Sequence, residues 1–282
     1  MAVFITGGYG HIASWTALLL ARQGQKVILY DKVHRGLDYL DEVAEHISFV
    51  KGDVLDLATL RAALEQYHTT LDGIIHTVGV MGELVLLNPH YHVTLNIMGL
   101  ANVLELARVL GIKKVLYTST GAVYGTVEGV ADETQVPNPT DLYAATKISA
   151  EYLGIHYGQA FGLDFRIARL FFVYGPGKYP SQFISLYKIA FGVLEGIKQL
   201  SIDKGADQNS ISPTSRMLRV ALRCCSTLRI HVTTYSTSPL ARPTAWVRSS
   251  SWLNGTRTSP CQRRSALVSS CGAAKRSTSV AR

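Results

Sequence analysis

Short apolar runs rich in β-branched residues alternate with helical stretches through the first 170 residues, and few architectures accept that alternation. Val3-Phe4-Ile5-Thr6 runs into glycines and then into a helical stretch over residues 11–23. Further strands read at residues 27–31, 47–50, 73–76, 115–119 and 165–170, and helical patterns over 57–67, 93–110 and 142–161 lie between them. Strands joined through helices need right-handed crossovers, so the expected fold is α/β: a doubly wound, mostly parallel sheet with helices on both faces. No apolar run approaches the roughly 18 residues of a membrane span, and the start, Met-Ala-Val-Phe-Ile-Thr-Gly-Gly, lacks the charged region and cleavage site of a secretory signal. A cytoplasmic protein with no membrane partner is expected.

Gly7-Gly8-Tyr9-Gly10-His11-Ile12-Ala13 falls where the first strand becomes a helix. Glycines there permit a tight turn and let a pyrophosphate approach the backbone at a positive helix N-terminus, whereas a glycine cluster alone is equally an ordinary turn. Asp31 closes the second strand about 20 residues on, as a carboxylate for the adenosine ribose hydroxyls should. It would repel a 2′-phosphate, which favours NAD, while Lys32 and Arg35 keep NADP open. Asp53 and Val54 follow the third strand and either reach the adenine or merely cap a turn. His76-Thr77-Val78-Gly79 ends the fourth strand beneath the expected cofactor, with His76 reading as a packed strand histidine.

Tyr143 and Lys147 stand four apart on the 142–161 helix and so share a face. An ammonium beside a phenol stabilises phenolate and should lower its pKa from about 10, giving a base that takes a hydroxyl proton while hydride leaves the same carbon. The alternative is an ordinary surface pair. Thr118-Ser119-Thr120 ends the fifth strand, where ligands of open parallel sheets bind, and the Thr120 hydroxyl could hold the reacting oxygen toward Tyr143.

Six separated motifs then resemble, in order, the extended short-chain dehydrogenase/reductases of the NAD-dependent epimerase/dehydratase branch. They are Thr6-Gly7-Gly8-Tyr9-Gly10-His11-Ile12, Asp53-Val54, Asn96-Ile97-Met98-Gly99, Thr120-Gly121-Ala122-Val123-Tyr124-Gly125, Tyr143-Ala144-Ala145-Thr146-Lys147, and the stretch from Arg169 to Gly177. The resemblance implies a Rossmann-type domain over residues 1–180 and the start of a substrate subdomain over 181–207. It implies that Gly7 to Ile12, Asp31, Asp53, Val54, Thr77, Val78, Gly79, Asn96 and Thr118 line the NAD site. Tyr143 is then the acid/base, Lys147 also binds the nicotinamide ribose, and Thr120 positions substrate. Ala13 stands where the third glycine is usual, and Phe172 where nucleotide-sugar members usually carry asparagine, so one polar contact to the sugar or diphosphate is missing. No Asp-Glu pair follows Thr120, which disfavours dehydration. The resemblance further implies a homodimer through the helices over 93–110 and 142–161.

Composition changes abruptly after residue 207. Residues 208–282 hold 12 basic residues, no acidic residue and all four cysteines, and 24 of their 75 residues are Ser or Thr. The net charge of +8 therefore belongs to this tail, the preceding 207 residues carrying −4. The family's phrase D-F-x-Y-V-x-D-V-A is absent, yet codons allowed by residues 210–219, read so that each takes the last base of its predecessor, encode F-D-F-T-Y-V-E-D-V-A. Residues 220–228 likewise permit R-G-V-A-L-L-L-D-A. A poorly ordered, out-of-frame extension beginning near Asn209 is expected. The alternative is a genuine basic arm for nucleic acid or a membrane; its arginines are scattered rather than arrayed on one face, so no nucleic-acid partner is expected. The cysteines, Cys224, Cys225, Cys261 and Cys271, lack zinc-ligand spacing, so no metal is expected.

The function expected from residues and resemblance together is an NAD-dependent oxidoreductase or epimerase acting on a secondary hydroxyl of a sugar, with a nucleotide sugar as the expected substrate. The alternative is an NAD-binding protein, catalytically impaired because its C-terminal substrate lid is lost.

Overall fold

The computed structural model describes residues 1–178, apart from 82, 128–130, 172, 174 and 176. Strand β1 (Ala2–Thr6) is buried along its whole length and therefore has to be covered on both faces. It pairs in parallel with β2 (Lys26–Asp31) on one side and β4 (Leu71–His76) on the other. With β3 (Ile47–Lys51), β5 (Lys114–Thr120) and β6 (Asp164–Leu170) it forms a six-stranded sheet in the order β3-β2-β1-β4-β5-β6, parallel throughout. The order reverses between β1 and β4, and a crevice opens there at the C-terminal strand ends. This is the doubly wound, Rossmann-type sheet expected from the alternation.

Phe4, Ile28, Tyr30, Ile74, Val115, Tyr117 and Phe165 form the sheet's contribution to the principal core. Helix α2 (Leu57–Tyr67) supplies Leu60 and Leu64, and helix α5 (Gly99–Val109) supplies Leu100, Val103 and Leu104. Asp56 caps α2 by accepting from the amides of Ala58 and Thr59, which sets the point where chain leaving β3 turns helical. Helix α6 (Leu142–Phe161) is capped by Asp141, whose carboxylate accepts from the Ala144 amide, and stops at Gly162 in the left-handed conformation.

Two boundaries differ from the sequence reading. Helix α1 (His11–Ala21) stops short of Gln23, because the chain turns through Gly24 at φ +76°. The helix expected over 93–110 is three segments: α4 (Pro89–Val93), a π-helical turn (Thr94–Met98) and α5. Pro89 follows the Asn88 cap, and the Thr94 hydroxyl donates back to the His90 carbonyl, which disturbs the regular ladder at the junction. Between β4 and α4 lies a further short helix, α3 (Glu83–Leu87), and residues Asp38–His46 form a 3-10 segment, neither of which the periodicity indicated. The expectations for residues 181–207 and 208–282 lie outside the described residues.

Candidate active site and nucleotide cleft

A cleft of about 350 Å³ lies at the reversal point of the sheet. Gly7, Tyr9, Gly10, Asp31, Asp53, Val54, Thr77, Val78 and Gly79 line it, together with Lys32, Val33 and Arg35 and with Tyr30, Gly52, Val80 and Leu95, which the sequence reading did not single out. The turn that opens it is sterically closed to other residues: Gly7 sits at φ +71°, and a Cβ on Gly8 would stand 2.6 Å from Leu29 Cβ. Both glycine amides donate to the Tyr30 carbonyl, pinning the turn to β2. Helix α1 then begins at His11 and Ile12 with neither a side-chain cap nor an acidic residue in its first turn. Its amide dipoles are thus left to an anion from outside the helix.

Asp31 is held by both carboxylate oxygens, Oδ2 accepting from the Tyr9 amide at 3.0 Å and Oδ1 from the Val33 amide at 3.1 Å. Lys32, which also lines the cleft, pairs with Asp53, Nζ to Oδ2 2.9 Å. Asp53 also accepts from the Leu55 amide, so its carboxylate closes a turn and an ion pair while facing the cleft. Val54 is buried, and its carbonyl accepts from Asn102. The Thr77 hydroxyl donates to the Thr6 carbonyl, joining the β4 end to the β1 end. His76 is fully buried with Nδ1 2.7 Å from Thr6 Oγ1, and burial, reinforced by the Lys147 charge, drives its pKa down to about 3.

Helix α6 brings Tyr143 and Lys147 over the C-terminal end of β5. Lys147 is 3% exposed; its Nζ donates to the Thr118 carbonyl at 3.0 Å and lies 4.7 Å from the Tyr117 ring centroid. At Gly79 an added Cβ would stand 3.0 Å from that Nζ and 3.4 Å from Asn96 Oδ1, so cleft backbone, ammonium and carboxamide converge there. Asn96 is itself fixed, Oδ1 accepting from the Val80 amide and Nδ2 donating to Thr146 Oγ1. The Thr120 hydroxyl hydrogen-bonds the Tyr143 phenol and also accepts from the Ala122 amide, which starts a 3-10 turn over Gly121–Tyr124. Phe172 lies outside the described residues.

The expected lowering of the phenol is corrected by this geometry. Burial pushes Tyr143 up to about 12; the Thr120 hydrogen bond pulls it down, and the nearby Asp141 carboxylate adds to the rise. The ammonium is spent on Thr118 and the Tyr117 ring rather than on the phenol. Burial brings Lys147 itself down to about 8, against the opposing pull of Glu151.

Glu151, one further turn along the Tyr143/Lys147 face of α6, was missed in the sequence. It is fully buried and paired with Arg169 of β6, Nη2 to Oε2 2.6 Å, while the Ser119 hydroxyl donates to its Oε1. The repeated four-residue spacing was its available signal. His92 and Thr146, both buried and hydrogen-bonded to each other, were also missed; a histidine in an irregular helical stretch carries no pattern that separates it from a surface residue.

The sequence model of the NAD dependent epimerase/dehydratase family matches residues 3–195. A UDP-glucuronate 4-epimerase of Thermodesulfobacterium geofontis is 32% identical over 190 residues, covering 64% of this chain and 58% of that protein. A UDP-glucose 4-epimerase of Halalkalibacterium halodurans is 30% identical over 174 residues, covering 61% of this chain and 50% of that protein. Among solved structures, the UDP-glucose 4-epimerase of Brucella ovis in complex with NAD superimposes with a TM-score of 0.68 at 25% identity, covering 79% of this chain and 71% of that one. The chain spans about half the length of the curated relatives it matches.

Proposed function

The chain belongs to the NAD-dependent epimerase/dehydratase family, and from that premise we propose that it binds NAD in the cleft and oxidises a secondary hydroxyl of a nucleotide sugar with Tyr143 as acid/base. One observation carries this reading: at the end of β5 the Thr120 hydroxyl hydrogen-bonds the Tyr143 phenol, and Lys147, on the same helix, donates to the Thr118 carbonyl with its Nζ against Gly79 of the cleft lining. The cleft fits the cofactor's chemistry. An uncapped helix start and a glycine turn with no room for a Cβ suit a pyrophosphate at Gly7 to Ile12, and Asp31 presents a fixed carboxylate to the adenosine ribose. Asp53 and Val54 would meet the adenine, Thr77, Val78, Gly79, Asn96 and Thr118 would line the remainder of the cofactor, and Lys147 would hold the nicotinamide ribose. Lys32 is engaged by Asp53, which leaves Arg35 as the other cleft cation able to meet a 2′-phosphate, and the fixed Asp31 carboxylate favours NAD.

When bound, NAD supplies the hydride acceptor. Thr120 holds the substrate oxygen against the phenol, and Tyr143 takes the hydroxyl proton as the carbinol carbon is oxidised. It returns that proton when the carbonyl is reduced, from the opposite face in an epimerisation. A phenol near 12 is protonated at neutral pH, so the base form needs more positive charge than the isolated chain gives it. Lys147, largely charged at pH 7, is held on the Thr118 carbonyl and the Tyr117 ring, so lowering the phenol would require it to turn toward Tyr143 or a bound positive charge to come near. Calorimetry with NAD and turnover on a panel of nucleotide sugars test this; NAD binding without Tyr143-dependent turnover defeats the enzymatic reading.

That defeat is the outcome of the second reading, cofactor binding with impaired catalysis, which the composition break favours. No acidic residue follows 207, the family match stops at 195, and a shifted frame restores the missing phrase over 210–219. Sequencing the gene across codons 200–225 decides between the frames. A homodimer through α5 and α6 accompanies either reading; Val109, Tyr152 and Phe161 on these helices and Met98 in the preceding π-turn are large apolar side chains left exposed. Among the described residues no helix is long and apolar enough to cross a membrane, and we place the protein in the cytoplasm.

A further inference from the structure

Three consecutive residues at the end of β5 are each held by a different turn of α6. Lys147 donates to the Thr118 carbonyl, Tyr143 hydrogen-bonds the Thr120 hydroxyl, and between them the Ser119 hydroxyl donates to Glu151 Oε1. Tyr143, Lys147 and Glu151 stand four residues apart and so form one stripe of the helix. Side chains alternate along a strand, and the two that reach this stripe, Tyr117 and Ser119, are two apart: the Tyr117 ring lies 4.7 Å from the Lys147 ammonium. Ser119 is 5% exposed, and its hydroxyl is spent inside the sheet–helix interface.

The carboxylate that Ser119 meets is itself fixed. Arg169, the partner of Ser119 in the β5–β6 register, gives Glu151 three hydrogen bonds: Nε to Oε1 at 3.0 Å, Nε to Oε2 at 3.1 Å and Nη2 to Oε2 at 2.6 Å. Its guanidinium carbon also lies 4.8 Å from the Tyr124 ring centroid, and Tyr124 ends the 3-10 turn that follows Thr120. A guanidinium fork on a carboxylate plane leaves little angular freedom. Two apolar side chains could fill the same volume at similar stability, but they would specify no direction.

We propose that Glu151, oriented by Arg169, is a positioning residue. Through Ser119 it fixes the end of β5 against α6, so that the Thr118 carbonyl meets Lys147 and the Thr120 hydroxyl meets Tyr143. The proposal deepens the catalytic reading above and rests on it for its meaning to activity.

Hydrogen exchange read by mass spectrometry, beside urea unfolding of the full chain, separates positioning from stability. Glu151→Met/Arg169→Met strands no charge, so its urea midpoint should stay near that of the wild-type chain and protection over 2–6 and 27–31 should be native. The methionines can pack between α6 and β6 while the untethered end of β5 moves. Protection over 118–124 and 142–148 should therefore fall about tenfold, the scale of a lost hydrogen bond. Ser119→Ala keeps the ion pair and cuts only the tether. In buffer where circular dichroism shows it fully folded, its NAD affinity by calorimetry should fall about fivefold, and any Tyr143-dependent turnover about tenfold in kcat. A brace that serves stability alone predicts native protection in the recovered double variant and native NAD affinity in Ser119→Ala; either result overturns the proposal. If the double variant does not recover its stability, Ser119→Ala decides. If the wild-type chain binds no NAD, the cofactor reading falls and the exchange result still decides the tether.

Discussion

Arg169 and Glu151 are 2% and 1% exposed at the side chain, and their separation on the sheet and helix makes them the most consequential single target for substitution. Arg169→Met removes three hydrogen bonds to Glu151: Nε to Oε1 at 3.0 Å, Nε to Oε2 at 3.1 Å and Nη2 to Oε2 at 2.6 Å. It leaves a buried carboxylate with the Ser119 hydroxyl as its remaining donor among the bonds described above. Removing one partner of a buried pair costs about 3–5 kcal/mol, because the stranded charge keeps its desolvation penalty and loses its compensation. With a urea slope of about 2 kcal/mol/M, the unfolding midpoint of the full chain should fall by roughly 2 M. The double variant Glu151→Met/Arg169→Met strands no charge and should recover most of that loss, since well-packed apolar pairs often equal buried ion pairs. A loss below about 1 kcal/mol in Arg169→Met, or a double variant as unstable as the single, would refute the reasoning.

Other expectations concern the cleft and its titrating groups. Lys147 is held near 8 in the folded chain against an unfolded value near 10.5, so between those values the unfolded chain binds the extra proton. Stability should therefore rise by roughly 1.4 kcal/mol per pH unit from about pH 8 to pH 10 and be flat in Lys147→Met, as read by urea unfolding. His76, held near 3, should make stability fall as pH drops below 6.5, and His76→Phe should remove that slope while keeping the stack on Tyr117. Gly8→Ala drives a methyl into Leu29 and should cost about 1–3 kcal/mol of stability, with NAD affinity reduced in the same titration. Asp31→Asn, measured by paired NAD and NADP titrations, should narrow the preference for NAD by about tenfold, the worth of one charge-assisted hydrogen bond.

Much of the architecture was legible because it is written in near neighbours. The runs at 3–6, 27–31 and 115–119 are too short and too β-branched to be helices, and each is separated from the next by enough chain to cross over. The parallel sheet and the crevice at its reversal point follow from that. The glycine turn and the Tyr143/Lys147 spacing were equally readable, because a turn and a helix face are set within a few residues. The π-turn at Thr94–Met98 was not, since it depends on how α4 and α5 have to lie to bring Asn96 to Val80 and Thr146.

The sequence by itself determined the strand and helix alternation, the glycine turn after β1 and the shared helix face of Tyr143 and Lys147. Tertiary structure decided their charge. Whether Lys147 faces the phenol or the Thr118 carbonyl, whether Glu151 finds Arg169 eighteen residues on, and whether His92 reaches Thr146 across 54 residues are settled only when distant segments pack. Desolvation is a property of everything around an atom, and most of what surrounds these atoms is remote in the chain. For that reason spacing placed Tyr143 correctly on its helix face and yet gave the wrong direction for its pKa.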